Sequence, residues 1–299
     1  MPRFGNEVLR PPALLLTLLV LCGGCAANTA VPEGDDHLFL LGGRIDVDNR
    51  FASTVLVTPD GPLGMCSGML IAPRLVLTAG HCVCMKRKAI GNRDSANLVI
   101  DATDCSATAT VTTVLYESTR GRSARREPAS VRTVAQRPQS YSGKVRPHPE
   151  LKILLGERNP REHVVSTRAD LAVILLDEPV EGSFPEVSLA TSQAQPDESL
   201  VLVGYGLDKT EEGEGVAGFR RFGRNTVTYA EGEFVTLGQP GTHTYQGDSG
   251  GPCLRESDKG HWLVGISSRG TGKVSRFTST HAYRAWLIEQ IQSARRTAP

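Results

Sequence analysis

Gly247-Asp248-Ser249-Gly250-Gly251-Pro252 is the stretch from which the rest of the chain is read. It sets a serine hydroxyl in a glycine-rich turn. Such a hydroxyl is a poor nucleophile until a histidine takes its proton and a carboxylate orients that histidine. Two other segments supply the partners: Thr78-Ala79-Gly80-His81-Cys82 and Asp170-Leu171-Ala172-Val173-Ile174-Leu175-Leu176. The parts occur in the chain order His…Asp…Ser. His81 follows an apolar, β-rich run, Leu75–Ala79, which fixes its backbone, and Asp170 opens an apolar strand, Leu171–Leu176. His37, His148, His163 and His261 read as loop residues by contrast.

Around these segments the chain breaks into short β-type runs separated by Gly, Pro and Asp clusters. The runs are Ala52–Thr58, Ser67–Ile71, Leu75–Leu77, Asn97–Ile100, Ala107–Tyr116, Leu171–Leu176, Leu200–Val203, Asn225–Tyr229 and Trp262–Ser267. Many short runs with turn signals predict an all-β sandwich or barrel rather than βαβ units. One helix closes the chain between His281 and Arg296, with Tyr283, Trp286, Leu287, Ile291 and Ala294 on one stripe. Residues 118–149, with Arg120, Arg122, Arg125, Arg126, Arg132 and Arg137 among Ser, Gly and Pro, read as an exposed insertion loop. Glu211–Gly215 reads as a second exposed loop.

The amino end is of another kind. Arg3 and Arg10 precede the apolar run Ala13–Leu21, which is too short to span a membrane and has the length of a signal-peptide core. Leu21-Cys22-Gly23-Gly24-Cys25 is similar to a bacterial lipobox, with Cys25 as the lipidated residue and an outer-membrane anchor as its consequence. The alternative is ordinary signal cleavage near Ala26-Ala27 or Ala30 and a soluble exported protein. Residues 1–25 are thus a signal segment. A net charge of +1, from 33 basic and 32 acidic residues, suggests no nucleic-acid partner. Of seven cysteines, two fall in the signal segment; Cys66, Cys82, Cys84, Cys105 and Cys253 remain, which suits an oxidising compartment.

Taken together, the motifs around His81, Asp170 and Ser249 resemble those of the chymotrypsin/trypsin-like serine endopeptidases. The resemblance runs from about Leu40 to Gln292, strongest at His81 and Ser249 and weakest between about Glu117 and Thr167. It implies two six-stranded antiparallel β-barrels with a C-terminal helix, the first over 40–183 and the second over 184–299, forming one peptidase unit. It implies Ser249 as nucleophile, His81 as general base and then acid, and Asp170 as the group orienting His81. The N–H groups of Gly247 and Ser249 would form the oxyanion hole, and Ser268 would hydrogen-bond Asp170. The segment Ser268-Arg269-Gly270 would pair with the substrate backbone. It further implies a Cys66–Cys82 disulfide, which leaves Cys84 and Cys105 for each other and Cys253 as a buried free thiol. Residues 26–39 would be a short propeptide. A freed Leu40 amine would pair with Asp248, although Phe39 rather than a basic residue precedes that cut and Arg44–Ile45 is the alternative. No metal or organic cofactor is called for, and the expected partners are a protein or peptide substrate and an activating protease acting on a monomer.

Specificity is left open. His243 stands at the base of the implied primary pocket, where an aspartate would select Lys or Arg, and Tyr245 replaces a cysteine that usually braces it. Arg269 stands where an aromatic residue is frequent. These departures support a second reading, a non-catalytic binding module with a degenerate pocket. An esterase with a Gly-x-Ser-x-Gly elbow is a third, opposed by His81 preceding the serine.

Overall fold

The apolar runs become strands, joined in chain order by hairpins. The computed structural model describes residues 29–32, 43–89, 96–118, 131–158, 161–185, 187–206, 218–270 and 273–296. Two short strands, β1 (Thr29–Pro32) and β2 (Arg44–Ile45), precede a meander of β3 (Thr54–Pro59), β4 (Cys66–Ala72) and β5 (Leu75–Thr78). The single-turn helix α1 (Gly80–Val83) leads into a hairpin of β6 (Cys84–Lys88) and β7 (Ala96–Cys105). Next come β8 (Thr108–Ser118) and β9 (Val131–Pro147), then β10 (Lys152–Arg158), β11 (Arg161–Arg168) and β12 (Ala172–Leu176). The second half holds β13 (Val187–Leu189), β14 (Ser199–Gly204), β15 (Arg221–Glu231), β16 (Phe234–Leu237), β17 (Pro252–Ser257), β18 (Gly260–Gly270) and β19 (Ser275–Ser279). Helix α2 (Arg284–Arg296) closes the described chain.

Two closed six-stranded antiparallel barrels result. The first runs β9-β12-β5-β4-β3-β8, with β8 returning to β9; the second runs β18-β17-β14-β15-β16-β19, with β19 returning to β18. Closure leaves neither six-stranded path an open edge, and β1, β2 and β13 are added outside it. In β5 every residue is buried, and in β12 all but Leu175, so both strands read as continuous apolar runs. Their side chains fill the first core with Val55, Val57, Met69 and Val111; Leu200, Leu202, Val227, Val235, Leu237 and Phe277 fill the second. Full burial of each such side chain is worth roughly 1.5–3 kcal/mol. Leu287 and Ala294 seat α2.

Three features depart from the sequence reading. Within 118–149, residues 131–147 are not loop but the long strand β9, paired with β8 over eleven positions and with β12 over five. Backbone pairing holds it where side-chain patterning gives no signal. Second, β2 lies on β15 and so belongs to the second barrel's sheet, although it precedes the first barrel in sequence. Third, a four-stranded sheet, β11-β10-β7-β6, stands outside both barrels. Residues 29–32, inside the implied propeptide, form β1 along β9. The expected signal segment, Cys25, Leu40 and the Glu211–Gly215 loop fall outside the described residues. No helix among the described residues is long and apolar enough to cross a membrane.

The barrels are tied by a buried ion pair. Arg220, fully buried, donates from Nε to Asp46 at 2.7 Å and from Nη1 to Val114 O at 2.7 Å and Tyr205 Oη at 3.0 Å. Tyr205 passes a bond on to Thr54 O. Second-barrel side chains thereby hold first-barrel backbone.

Candidate active site

His81 lies on α1, immediately after β5. The Cys66–Cys82 disulfide fastens that turn to β4, and Cys84–Cys105 fastens the following strand to β7. Gly80 is required by its neighbour, because a Cβ there would lie 2.6 Å from Leu151 Cδ1. The glycine in Thr78-Ala79-Gly80-His81-Cys82 therefore makes room for Leu151 rather than loosening the turn.

Asp170, fully buried, receives three bonds. His81 N–H donates to Oδ1 at 2.9 Å, His81 Nδ1 lies 2.8 Å from Oδ2, and Ser268 Oγ donates to Oδ2 at 2.7 Å. Bonding of Nδ1 to a carboxylate fixes the tautomer that leaves Nε2 as the acceptor. Burial alone would pull the His81 pKa down and push that of Asp170 up. Their mutual attraction outweighs it, leaving His81 raised above 6.5 and Asp170 lowered below 3.8. Ser268 is the extra residue of a bulge between Ser267 and Arg269, which aims its hydroxyl at the carboxylate.

The residue before Asp170 is held as firmly. Ala169 sits at φ 47°, a left-handed conformation uncommon for a residue with a Cβ. Its N–H reaches Glu233 Oε2 at 2.8 Å and Tyr283 Oη at 2.9 Å, and Tyr283 donates to the same carboxylate. Glu233 and Tyr283 come from the second barrel and the approach to α2. No local motif marks either, since their role exists only once the barrels meet.

Ser249 comes from the second barrel but is anchored on the first. Ser67 N–H donates to Ser249 O at 2.8 Å, and Ser67 Oγ donates to Gly247 O at 2.8 Å. Gly250, at φ 80°, packs so closely on β4 and β5 that a Cβ would lie 2.2 Å from Ser67 O and from Thr78 Oγ1, and 3.1 Å from Ala79 N. The turn thus rests two residues from His81. Among the described residues the N–H groups of Gly247 and Ser249 meet no acceptor, and Ser249 Oγ makes no hydrogen bond to His81 Nε2. Asp248 points inward, accepting from Gly206 N–H at 2.8 Å and Tyr245 N–H at 2.9 Å. It has no ion pair among the described residues, and burial pushes its pKa up to about 7.

His243 is buried and bonded within the protein. Its Nε2 lies 3.0 Å from Gln239 O and its Nδ1 3.3 Å from Ser275 Oγ, which also accepts from Thr244 N–H at 2.8 Å. Burial lowers its pKa below 6.5, against the raising effect of the Gln239 carbonyl, and so favours the neutral imidazole. Gly270 lies against the next residue: a Cβ on it would come within 2.3 Å of Thr244 O. Arg269, beside Gly270, is partly buried; burial lowers its pKa first, and the facing Arg276 lowers it further. Cys253 is a buried free thiol.

The sequence model of the Trypsin family matches residues 41–287. A curated relative, "Trypsin" of Saccharopolyspora erythraea, is 26% identical over 274 residues, covering 85% of this chain and 99% of its own. A solved structure, a mutant of human heparin binding protein, superposes with a TM-score of 0.54 at 19% identity, covering 84% of this chain and 96% of that one; at that identity it speaks for the fold alone. Barrels, strand order and the family match over most of its length agree: the chain belongs to the trypsin family.

Proposed function

We propose that this protein is an exported serine endopeptidase that cleaves through an acyl-enzyme on Ser249. The observation that carries the reading is the His81–Asp170–Ser268 constellation, reached by the turn that bears Ser249. In the proposed cycle Ser249 Oγ attacks the scissile carbonyl as its proton passes to His81 Nε2. The N–H groups of Gly247 and Ser249, which lack acceptors among the described residues, receive the developing oxyanion; each such donor is typically worth about 100- to 1000-fold. His81 returns the proton to the leaving amine, and water then releases the acyl group by the same route in reverse. Asp170 stays ionised throughout.

Activation by a freed amine at Leu40 belongs to the same proposal. A buried carboxylate without an ion-pair partner is costly, and Asp248 is in that position among the described residues, with only the charge of Arg221 acting on it. Export follows from the signal-like amino end, the two disulfides and the family. Anchoring through Cys25, a monomeric state and action on protein or peptide substrates complete the reading.

A second reading, a non-catalytic binding module, draws on the contact between Gly270 and Thr244 and on the missing Ser249–His81 bond. One experiment separates them. A chain with its terminus at Leu40 is treated with a fluorophosphonate and the adduct is located by peptide mass, with Ser249→Ala as control. Adduct on Ser249, with turnover of a casein-like protein, is the expected result. A Leu40 terminus with neither adduct nor turnover would overturn the peptidase in favour of the binding module.

A further inference from the structure

Arg269 and Arg276 stand directly opposite each other across β18 and β19. Directly opposed residues project to the same face with Cβ atoms about 5 Å apart, and two like charges so placed destabilise the sheet. Of the neighbouring carboxylates, the Asp170 charge acts favourably on Arg269, but it does not offset burial and the facing Arg276, and none pairs with either arginine among the described residues. Asp170 is committed to His81 and Ser268, Glu233 to Ala169 and Tyr283, and Glu231 accepts from Tyr229 Oη. Among the described residues Arg276 finds only a ring, its guanidinium lying 5.2 Å from the centroid of Phe234. Arg269 has neither an ion pair nor a hydrogen bond among the described residues, yet it is partly buried beside the triad.

The rest of the implied specificity site is closed to charge. The two ring nitrogens of His243 are engaged by Ser275 and Gln239. Gly270 lies close to Thr244, whose carbonyl oxygen a Cβ there would meet at 2.3 Å. The paired arginines are the strongest recognition element left along the strand expected to receive the substrate.

We propose that Arg269, seconded by Arg276, binds a carboxylate of the substrate, so that this peptidase selects acidic segments beside the scissile bond. The inference rests on the endopeptidase reading above. A guanidinium fork matches a carboxylate in two parallel bonds, and a bound carboxylate also relieves the repulsion between the two cations.

The test uses the Leu40-terminated chain and paired fluorogenic peptides. Members of a pair differ only by Asp against Asn, or Glu against Gln, at one of the four positions before the cleaved bond or the two after it. The readout is the ratio of kcat/KM within a pair, which is independent of the basal rate of each variant. The wild type is expected to favour the acidic member by at least about tenfold at one position. Arg269→Gln brings that ratio close to one, Arg276→Gln lowers it in part, and Arg269→Lys retains some of it. The ratio should also shrink as ionic strength rises from about 0.05 to 0.5 M. A wild type that labels at Ser249 but shows no acidic preference overturns the proposal, as does a preference that survives Arg269→Gln. Absence of both labelling and turnover overturns the peptidase reading, and this proposal with it.

Discussion

His81 meets Asp170 through both its backbone and its ring, so one carboxylate fixes where the imidazole lies and how it is turned. Burial lowers the His81 pKa, and the Asp170 charge and bond more than offset this. A raised value means that the contribution of His81 to stability is complete below 6.5 and is lost as pH rises through the folded-state value. Its proposed use as a base runs the other way, since the neutral ring is needed. The acid limb of a kcat/KM profile should therefore lie above pH 6.5. Asp170→Asn should move that limb down and cost about 10⁴-fold in kcat; an unmoved limb would assign the titration to another group. Asp248 carries a separate prediction. With its pKa pushed up to about 7 by burial, the uncut chain should lose stability as pH rises from about 4 towards 7. Asp248→Asn should flatten that fall in Tm in the uncut chain, whereas in the Leu40-terminated chain it should reduce activity. A Tm profile of the uncut wild type that is flat over this range would show that Asp248 already has a counter-charge.

The sheet outside the barrels connects the two halves of the His81–Asp170 pair. β6 leaves directly from the turn bearing His81, β11 runs towards Asp170, and β7 pairs with β10 between them over five positions. Cys84–Cys105 closes the His81 side. Replacing both cysteines by alanine should cost about 3 kcal/mol in denaturant unfolding and lower kcat/KM without abolishing it, because the β7–β10 pairing remains. Unchanged stability would mean that this pairing alone carries the sheet. Little of this element was legible beforehand. β11 is mostly polar, β10 carries only the short apolar run Ile153–Leu155, and both lack the alternation that marks a half-buried strand. β9, in the first barrel, is rich in Arg, Gln and Ser, and its pairing is decided by backbone bonds to β8 and β12. Strands β5 and β12 are the opposite case: Leu75–Thr78 and Ala172–Leu176 are buried nearly throughout, and the sequence shows it as apolar runs. The triad motifs were legible for a related reason, since the glycines and small residues around His81 and Ser249 record close backbone approach. Glu233, Tyr283 and Arg276 left no such mark, because what they touch lies on other strands.

At the scale of the molecule, Ser249 and the His81–Asp170 pair belong to different barrels, so their alignment depends on the seam. Two devices cross it near the site. The Glu233–Tyr283 pair holds Ala169 in its left-handed conformation; Tyr283→Phe combined with Glu233→Gln should lower kcat/KM by roughly 10- to 100-fold through misplacement of Asp170, with the largest share in kcat. A change confined to KM would place the pair outside the positioning of the triad. The second device is Arg220–Asp46. Its charges are fully removed from water, and every Arg220 nitrogen finds an acceptor: Asp46, Val114 O, Tyr205 Oη or Asn49 Oδ1. Asp46 in turn accepts from Arg50 N–H and Phe51 N–H, both at 2.9 Å. Arg220→Met leaves that carboxylate buried without its cation and should destabilise by about 3–5 kcal/mol. Adding Asp46→Leu should restore only part of this, because it deprives the Arg50 and Phe51 amides of their acceptor at about 1–3 kcal/mol for a buried donor. Denaturant unfolding of the two single variants and the double variant measures the coupling. Near-complete recovery in the double variant would show that the backbone bonds to Asp46 contribute little, and that the seam is held by apolar packing instead.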